Sequence, residues 1–220
     1  LGAGDHARRT PDLVGITAIT TQANRAYRIA AHYGRRGVPV VMGGMHASAV
    51  PEEAIRFADA VVVGEAEEIW PRVVRDFESG RLGQTYRAGA PPDLGRVVRP
   101  RRDLLGRGYW VDVLQTARGC PHDCAFCSVS AFSGRAYRFR PVDDVLDELG
   151  TLRKKNLIIV DDNIVGAGRA HEERAAALFE GMIRRNFRKR WVSQAPVSVA
   201  GNDEVLRLMK ASGCAGLLIG

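Results

Sequence analysis

Residues 114–127 read LQTARGCPHDCAFC and place three cysteines, Cys120, Cys124 and Cys127, at the spacing C-x3-C-x2-C. The stretch continues a short apolar segment, 110–114, so the pattern predicts a loop at the end of a strand. Three thiolates within eight residues repel one another and lose hydration unless bound cations neutralise their charge. The spacing therefore predicts a metal-binding loop.

A loop this short can wrap one corner of a cubane iron–sulfur cluster and give three irons one thiolate each. The fourth cysteine, Cys214, lies far along the chain at the start of an apolar run, where a small buried residue is expected. One iron then stays open for a substrate or cofactor, as in open zinc sites. Three alternatives remain at this point: a zinc site completed by His122, disulfides, or cysteines that merely pack in a core.

The strand, the cysteine spacing and Phe126 just before the last cysteine together resemble the signature of the radical S-adenosylmethionine enzymes. The resemblance implies that Cys120, Cys124 and Cys127 hold a 4Fe–4S cluster whose open iron binds S-adenosylmethionine. It also implies that electron transfer cleaves this cosubstrate to a 5′-deoxyadenosyl radical, with Phe126 flanking the adenine.

Downstream of the cysteines, the chain alternates strands and helices. Apolar strands are predicted at 110–114, 157–160, 191–194 and 216–220, with three helices between them. This order predicts the first half of a β/α barrel, whose chemistry lies at the carboxyl ends of its strands. The polar residues at those ends are Asp161, Asp162, Asn163, Ser193 and Gln194.

In the resembled family, the turn after the second barrel strand approaches the amino group of S-adenosylmethionine. The Asp-Asp-Asn sequence at 161–163 resembles the variant of the cobalamin-dependent branch. The resemblance implies that these residues, with Ser193 and Gln194, line the cosubstrate pocket. Paired aspartates after a strand could equally form a turn and a helix cap.

Upstream, residues 1–85 also alternate apolar strands, at 13–17, 38–42 and 60–63, with helices. Nearly continuous apolar strands predict a parallel sheet covered on both faces, with ligands at the carboxyl ends of the strands. A doubly wound domain without a ligand is the simpler interpretation. The turns at these ends contain Thr17, Gly43, Gly44, Gly64 and Glu65.

In this order the turns resemble those of the Rossmann-like, flavodoxin-like cobalamin-binding domain. The resemblance implies that these five residues border a bound cobalamin, with glycines that let the backbone approach its nucleotide tail. The strand and loop that would begin such a domain are not recognisable in the sequence. His46, after the double glycine, is expected to be a loop residue near the cofactor.

The predicted organisation is α/β throughout: a partial cobalamin-binding domain at 1–85, a linker at 86–109 and a partial radical S-adenosylmethionine core at 110–220. The linker is rich in proline, glycine and arginine, and its arginines are expected to be solvated. The chain begins without Met and ends inside an apolar run, so we expect it to be a fragment.

Composition adds limits on the partners and the compartment. The net charge of +7 comes mostly from arginines dispersed along the chain, so no nucleic acid is expected, and the basic run 184–190 is expected to be a solvated helix end. No apolar stretch approaches the ~20 residues of a membrane span, and no signal peptide is visible. Three cysteines that must stay reduced predict a cytoplasmic protein.

The resulting hypothesis is a radical S-adenosylmethionine enzyme with a 4Fe–4S cluster and cobalamin, most simply a methyltransferase. It would methylate or rearrange an unactivated carbon of a small-molecule or lipid substrate, with electrons from a reductase such as flavodoxin or ferredoxin. One alternative is a tRNA methylthiotransferase, which needs further cysteines in its first domain, and none precedes Cys120. The other is a non-catalytic cobalamin-binding sensor.

Overall fold

Each half of the chain builds its own parallel sheet, because short runs of aliphatic residues alternate with helices. The computed structural model describes residues 10–104, 108–122 and 124–220. The chain divides into two compact units between Pro92 and Asp93. Residues 1–9 of the predicted first domain, 105–107 of the predicted linker and Asp123 of the cysteine loop lie outside the described residues.

The first unit carries a four-stranded sheet in which neighbouring strands are parallel and follow one another in chain order. Its strands are β1 (Val14–Thr17), β2 (Val40–Gly43), β3 (Ala60–Val63) and β4 (Thr85–Arg87). Its helices are α1 (Ala23–Gly34), α2 (Gly44–Ala49), α3 (Pro51–Ala54) and α4 (Trp70–Glu78).

Both faces of this sheet are covered, as the apolar strands predicted. Along β2, Val40 and Met42 pack into a core with α1, α2 and α3, whereas Val41 faces the opposite core. Val62 of β3 and Val73 of α4 belong to that second core. Alternate residues of a strand point to opposite faces, so a strand buried on both sides reads as one continuous apolar run.

Two elements of the first unit differ from the prediction. Helix α2 begins at Gly44, directly after β2, where the sequence analysis expected a loop. Strand β4 pairs in parallel with β3, so the sheet extends into the segment predicted to be a linker from residue 86. Tyr86 is the buried residue of β4 and belongs to the second core.

The second unit contains a parallel sheet in the order β10-β9-β8-β5 and a separate antiparallel pair, β6 and β7. The strands are β5 (Asp112–Leu114), β6 (Ala117–Arg118), β7 (Arg138–Phe139), β8 (Asn156–Ile159), β9 (Arg190–Ala195) and β10 (Cys214–Ile219). The helices are α5 (Val129–Ser133), α6 (Val142–Thr151), α7 (Arg169–Arg184) and α8 (Asp203–Ala211).

Four sequential parallel strands with three long helices between them confirm the predicted half of a β/α barrel. The core of this unit surrounds Trp191, which is fully buried and stacks on Phe179 with ring centroids 5.3 Å apart. Asn202 caps α8, because its side-chain oxygen accepts the Val205 N–H at 3.1 Å. That cap was predicted, whereas β6, β7 and α5 were not.

Arg102 corrects one expectation about the linker arginines. Its Nη1 lies 2.5 Å from Oε1 of Glu148, a carboxylate on α6 that is 1% exposed, and Arg140 Nη2 lies 2.6 Å from the other oxygen. Arg102 also donates to the Val113 carbonyl at 2.7 Å. This arginine therefore fixes its segment to the second unit instead of pointing into solvent.

Within the described ranges, no helix is both long and apolar enough to cross a membrane.

Candidate functional site

The cysteine loop begins after β6 and returns through α5 to β7. Its three cysteines are free thiols: Cys120 and Cys127 are half-buried, and Cys124 is exposed. The Cys127 N–H donates to the Cys124 carbonyl at 3.0 Å, which forms a turn between the last two thiols. The ladder pairs Ala117 with Phe139 and Arg118 with Arg138, so both ends of the loop are held together.

Gly119 permits the loop to start where it does. Its φ is +82°, a conformation that residues with a Cβ rarely adopt. A Cβ at this position would overlap the Ala136 carbonyl oxygen and lie 3.1 Å from the Gly134 carbonyl oxygen. The backbone on both sides of the loop is thus in van der Waals contact at Gly119, immediately before the first cysteine.

The donor set of this loop suits an iron–sulfur cluster. Among residues 10–104, 108–122 and 124–220, no three His, Cys, Asp or Glu side chains are gathered around a point as ligands of a single ion. Thiolates of a cubane cluster each bind a different iron, so they need not converge on one point. Soft thiolates are the ligands such clusters take. Phe126, between the last two cysteines, is 92% exposed and free to stack on a planar ligand.

Asp161, predicted to line a cosubstrate pocket, is directed at the start of this loop. It is fully buried, and its Oδ1 accepts the N–H groups of Thr116 at 2.6 Å and Ala117 at 3.0 Å. Its Oδ2 accepts the hydroxyl of Thr116. Burial raises the pKa of Asp161 to about 6, while these hydrogen bonds and the nearby Arg174 act in the opposite direction.

The other predicted pocket residues divide by exposure. Asn163 is buried and forms a turn, because its Oδ1 accepts the N–H groups of Val165 and Gly166. Ser193 is buried and donates to the Ile159 carbonyl at 2.8 Å. Asp162 is half-buried and Gln194 is exposed, so these two are the members of the set with solvent-accessible side chains.

Burial raises the pKa of Asp162, while a hydrogen bond from the Gly119 N–H opposes the rise. Asp161 and Asp162 together therefore hold backbone N–H groups from three of the four residues that precede Cys120. The Asp161 hydrogen bonds reach residues 44 and 45 positions earlier in the chain, so they form neither the local turn nor the helix cap that the sequence analysis kept as an alternative. The contact of both aspartates with a cosubstrate stays a prediction.

A layer of buried cationic and aromatic groups that the sequence analysis missed lies behind the loop. Arg174 of α7 is 8% exposed and donates to Thr116 Oγ1 at 3.0 Å and to the Thr116 carbonyl at 3.1 Å. Its guanidinium lies 5.5 Å over the Phe139 ring. The burial of Arg174 could have been predicted from the sequence. Arg174 lies four residues before Leu178 and therefore on the apolar face of its helix.

Tyr137 is a buried aromatic member of this layer. Its ring packs on His171 with centroids 4.8 Å apart, and its hydroxyl donates to the Ile164 carbonyl at 3.2 Å. Burial raises the pKa of Tyr137, and the negative charges of Asp161 and Cys120 raise it further. The phenol therefore stays protonated and acts as a hydrogen-bond donor to the Ile164 carbonyl.

In the first unit, the predicted turns do meet at the carboxyl ends of the strands. The Ala18 N–H donates to the Gly43 carbonyl at 3.3 Å, and a Cβ at Gly44 would overlap the Thr17 hydroxyl. Gly44 has a φ of +87°, so glycine is required there both for conformation and for space.

The third turn of this edge also needs a glycine. Gly64 has a φ of +90°, and its N–H donates to Ser48 Oγ at 2.9 Å, which connects β3 to α2. Thr17 is exposed and Glu65 is half-buried. The five residues predicted to border a cobalamin thus lie along one edge of the sheet, and their contact with it stays a prediction.

His46 was expected to be a loop residue near the cofactor, and its assignment to a loop is wrong. His46 lies in α2, is 6% exposed, and its Nε2 is 2.7 Å from the Tyr27 hydroxyl. That hydroxyl donates to Glu53 Oε1 at 2.8 Å. Burial first, and Glu53 second, raise the pKa of Tyr27 to about 12. The three side chains connect α1, α2 and α3; Tyr27 and His46 are buried, whereas Glu53 is exposed.

Comparisons with known proteins match a different family model to each of the two units. A family model described as the B12 binding domain matches residues 4–74, and one for the radical SAM superfamily matches residues 114–220. The chain is 38% identical over 135 residues to the bacteriochlorophyllide d C-8(2)-methyltransferase of Chlorobaculum tepidum, covering 58% of this chain and 30% of that protein.

It is 30% identical over 224 residues to the C-12(1)-methyltransferase of the same organism, covering 95% of this chain and 47% of that relative. The chain therefore spans less than half the length of these two curated relatives. Among solved structures, the radical S-adenosylmethionine methyltransferase TsrM from Kitasatospora setae, with cobalamin and a [4Fe-4S] cluster bound, is similar with a TM-score of 0.77. The identity is 20%, and the match covers 98% of this chain and 51% of that one.

Proposed function

Because the chain belongs to the radical S-adenosylmethionine proteins that carry a B12 binding domain ahead of the radical domain, we propose that it is part of a cobalamin-dependent methyltransferase. The observation that carries the proposal is the presence of both domains in one chain, with three free thiols on the loop after the first barrel strand. The target is an unactivated carbon of a small-molecule or lipid substrate. Rearrangement of such a carbon is the alternative outcome.

Cys120, Cys124 and Cys127 would hold three irons of a 4Fe–4S cluster, and the fourth cysteine would not take part. Burial raises the pKa of the Cys214 thiol, which disfavours the thiolate needed for a metal ligand. The cluster, when bound, supplies the electron that splits S-adenosylmethionine, and cobalamin supplies the methyl group.

Residues of this chain would position the cluster and its cosubstrate. Gly119 and the β6–β7 ladder fix the start of the cysteine loop, and exposed Phe126 offers a ring to the adenine of the cosubstrate. In the first unit, Gly44 and Gly64 have positive φ angles and let the backbone turn at the strand ends that would border the cobalamin nucleotide tail.

The names of the two methyltransferase relatives support a substrate of the size and apolarity of a chlorophyll precursor. Electrons would come from a reductase such as flavodoxin or ferredoxin. Free thiols at all four cysteines favour a reducing compartment, the cytoplasm. The tRNA methylthiotransferase alternative is not favoured, because the B12 binding domain occupies the place of the cluster-bearing domain it requires.

The proposal is tested by anaerobic reconstitution of the purified protein with iron and sulfide. We expect about four irons and four sulfides per chain, and 5′-deoxyadenosine after reduction with S-adenosylmethionine present. Cys124→Ala should lose the visible absorbance of the cluster, whereas the matched control Cys214→Ala should keep it. Equal iron content in the two variants would contradict the assignment of the ligands. A cluster without 5′-deoxyadenosine would instead favour a non-catalytic sensor.

A further inference from the structure

The two carboxylates that follow β8 are both turned toward the chain segment leading into the cysteine loop. We infer that Asp161 and Asp162 are positioning residues, which fix the backbone of 116–119 and thereby place Cys120 for cluster binding, and that Asp161 does not contact S-adenosylmethionine. The inference rests on the proposed function, because it assigns a role toward the cluster.

The acceptors of Asp161 are already occupied by the loop. Oδ1 accepts two backbone N–H groups, from Thr116 and Ala117, and Oδ2 accepts the Thr116 hydroxyl. A carboxylate oxygen has about two acceptor sites, so Oδ1 has none left. The side chain is 0% exposed, which leaves no surface for a ligand to reach the remaining site on Oδ2.

Asp162, the next residue, faces the same segment of backbone. The Gly119 N–H donates to its carboxylate, so acceptors from two adjacent residues reach Thr116, Ala117 and Gly119. Gly119 is also the residue whose missing side chain allows contact with the Ala136 carbonyl. The backbone is therefore held on one side by carboxylates and on the other by the segment that leads into β7.

Arg174 and Arg140 fix the opposite side of the Thr116 peptide. The Thr116 carbonyl accepts hydrogen bonds from Arg174 Nη2 at 3.1 Å and from the Arg140 N–H at 2.9 Å. Arg140 Nη1 in turn donates to the Gln115 carbonyl at 2.9 Å. The carbonyl of Thr116 and the N–H of Ala117, which belong to one peptide group, are therefore both hydrogen-bonded. These bonds determine the direction in which the chain enters the loop.

The substitutions Asp161→Asn and Asp161→Ala separate hydrogen bonding from charge. Asparagine keeps the oxygen that accepts two N–H groups, and its amide can donate to Thr116 Oγ1 with the hydroxyl reoriented. Arg174 would retain the carbonyls of Thr116 and Arg140 as acceptors. A positioning role should therefore survive in Asp161→Asn and fail in Asp161→Ala. A direct contact with the cationic amino group of the cosubstrate would fail in both.

Two readouts are needed: amide hydrogen exchange of 115–121 in the iron-free protein, and the change in the electron paramagnetic resonance spectrum of the reduced cluster on adding S-adenosylmethionine. In Asp161→Ala we expect exchange about tenfold faster, from the loss of its hydrogen bonds, and a diminished spectral change. In Asp161→Asn both should stay close to the unchanged protein. The control Asn202→Ala removes the cap of α8 at a comparable cost in stability and should alter neither.

The outcomes separate the two proposals. If Asp161→Asn loses the spectral change as fully as Asp161→Ala, while exchange at 115–121 is normal, Asp161 contacts the cosubstrate and the inference is overturned. Unaltered exchange in Asp161→Ala overturns it as well. If the unchanged protein binds no cluster, the proposed function fails, whereas the exchange measurement still decides whether Asp161 fixes the loop.

Discussion

Substituting alanine at Gly119 tests whether close backbone contact holds the cysteine loop in place. Gly119 has a φ of +82° and would bring its Cβ into overlap with the Ala136 carbonyl oxygen. Gly134, in the same loop, has a φ of +77°, but a Cβ there would have no atom of the described residues within 4 Å, so it is a matched control. Both alanines strain the backbone, and only the one at 119 also meets a neighbour.

The two contributions give different expected costs. An alanine in a conformation that favours glycine costs about 1–3 kcal/mol, and this term is common to both variants. Overlap with rigid backbone adds about 1–3 kcal/mol, because the backbone at Ala136 and not a flexible side chain must move. We therefore expect Gly119→Ala to be less stable than Gly134→Ala by about 2 kcal/mol.

Urea unfolding of the iron-free, reduced protein measures this difference. Trp191 is fully buried in the second unit, so its fluorescence should report the unfolding of that unit. Gly119→Ala should also take up less iron than Gly134→Ala on reconstitution, since the shift occurs next to Cys120. Equal unfolding midpoints and equal iron uptake would refute the view that contact at Gly119 sets the start of the loop.

Two further predictions concern buried charge. Glu148→Gln removes the carboxylate shared by Arg102 and Arg140 and should cost about 3 kcal/mol in urea unfolding, whereas Arg102→Met, which keeps one ion pair, should cost less. The pKa of Asp161 is raised to about 6 from 3.8, so its contribution to stability is complete below about pH 4 and declines as the pH rises toward 6. In Asp161→Asn, unfolding free energies measured across that range should lack this decline.

The regular elements could be predicted because their signals are local. Ala60–Val63 is an uninterrupted apolar run and is strand β3 with the predicted bounds. The stripe of α6 and the Asn202 cap likewise depend on residues within a few positions of one another. The ordered turns and the cysteine spacing sufficed to identify the family, which the family models and relatives confirm.

What could not be predicted depends on partners distant in sequence. Strands β6 and β7 contain two residues each, too few for any periodicity. Asp161 was placed correctly after its strand, but the direction of its side chain depends on Thr116, which lies 45 residues earlier. Arg102 stands in a segment without periodicity, and its partner Glu148 is a charged residue on the buried side of a helix.

The antiparallel ladder of β6 and β7 affects what happens to the fold when oxygen destroys the cluster. Because the ladder joins Arg118 to Arg138, the ends of the cysteine loop are tied without any contribution from iron. The backbone hydrogen bonds of the ladder thus offset the entropic cost of closing the loop. Cluster binding then needs to order only the three thiols. A protein that has lost its cluster to oxygen should therefore keep its barrel strands folded. Repair then requires only that a new cluster be inserted into a loop whose ends are still paired.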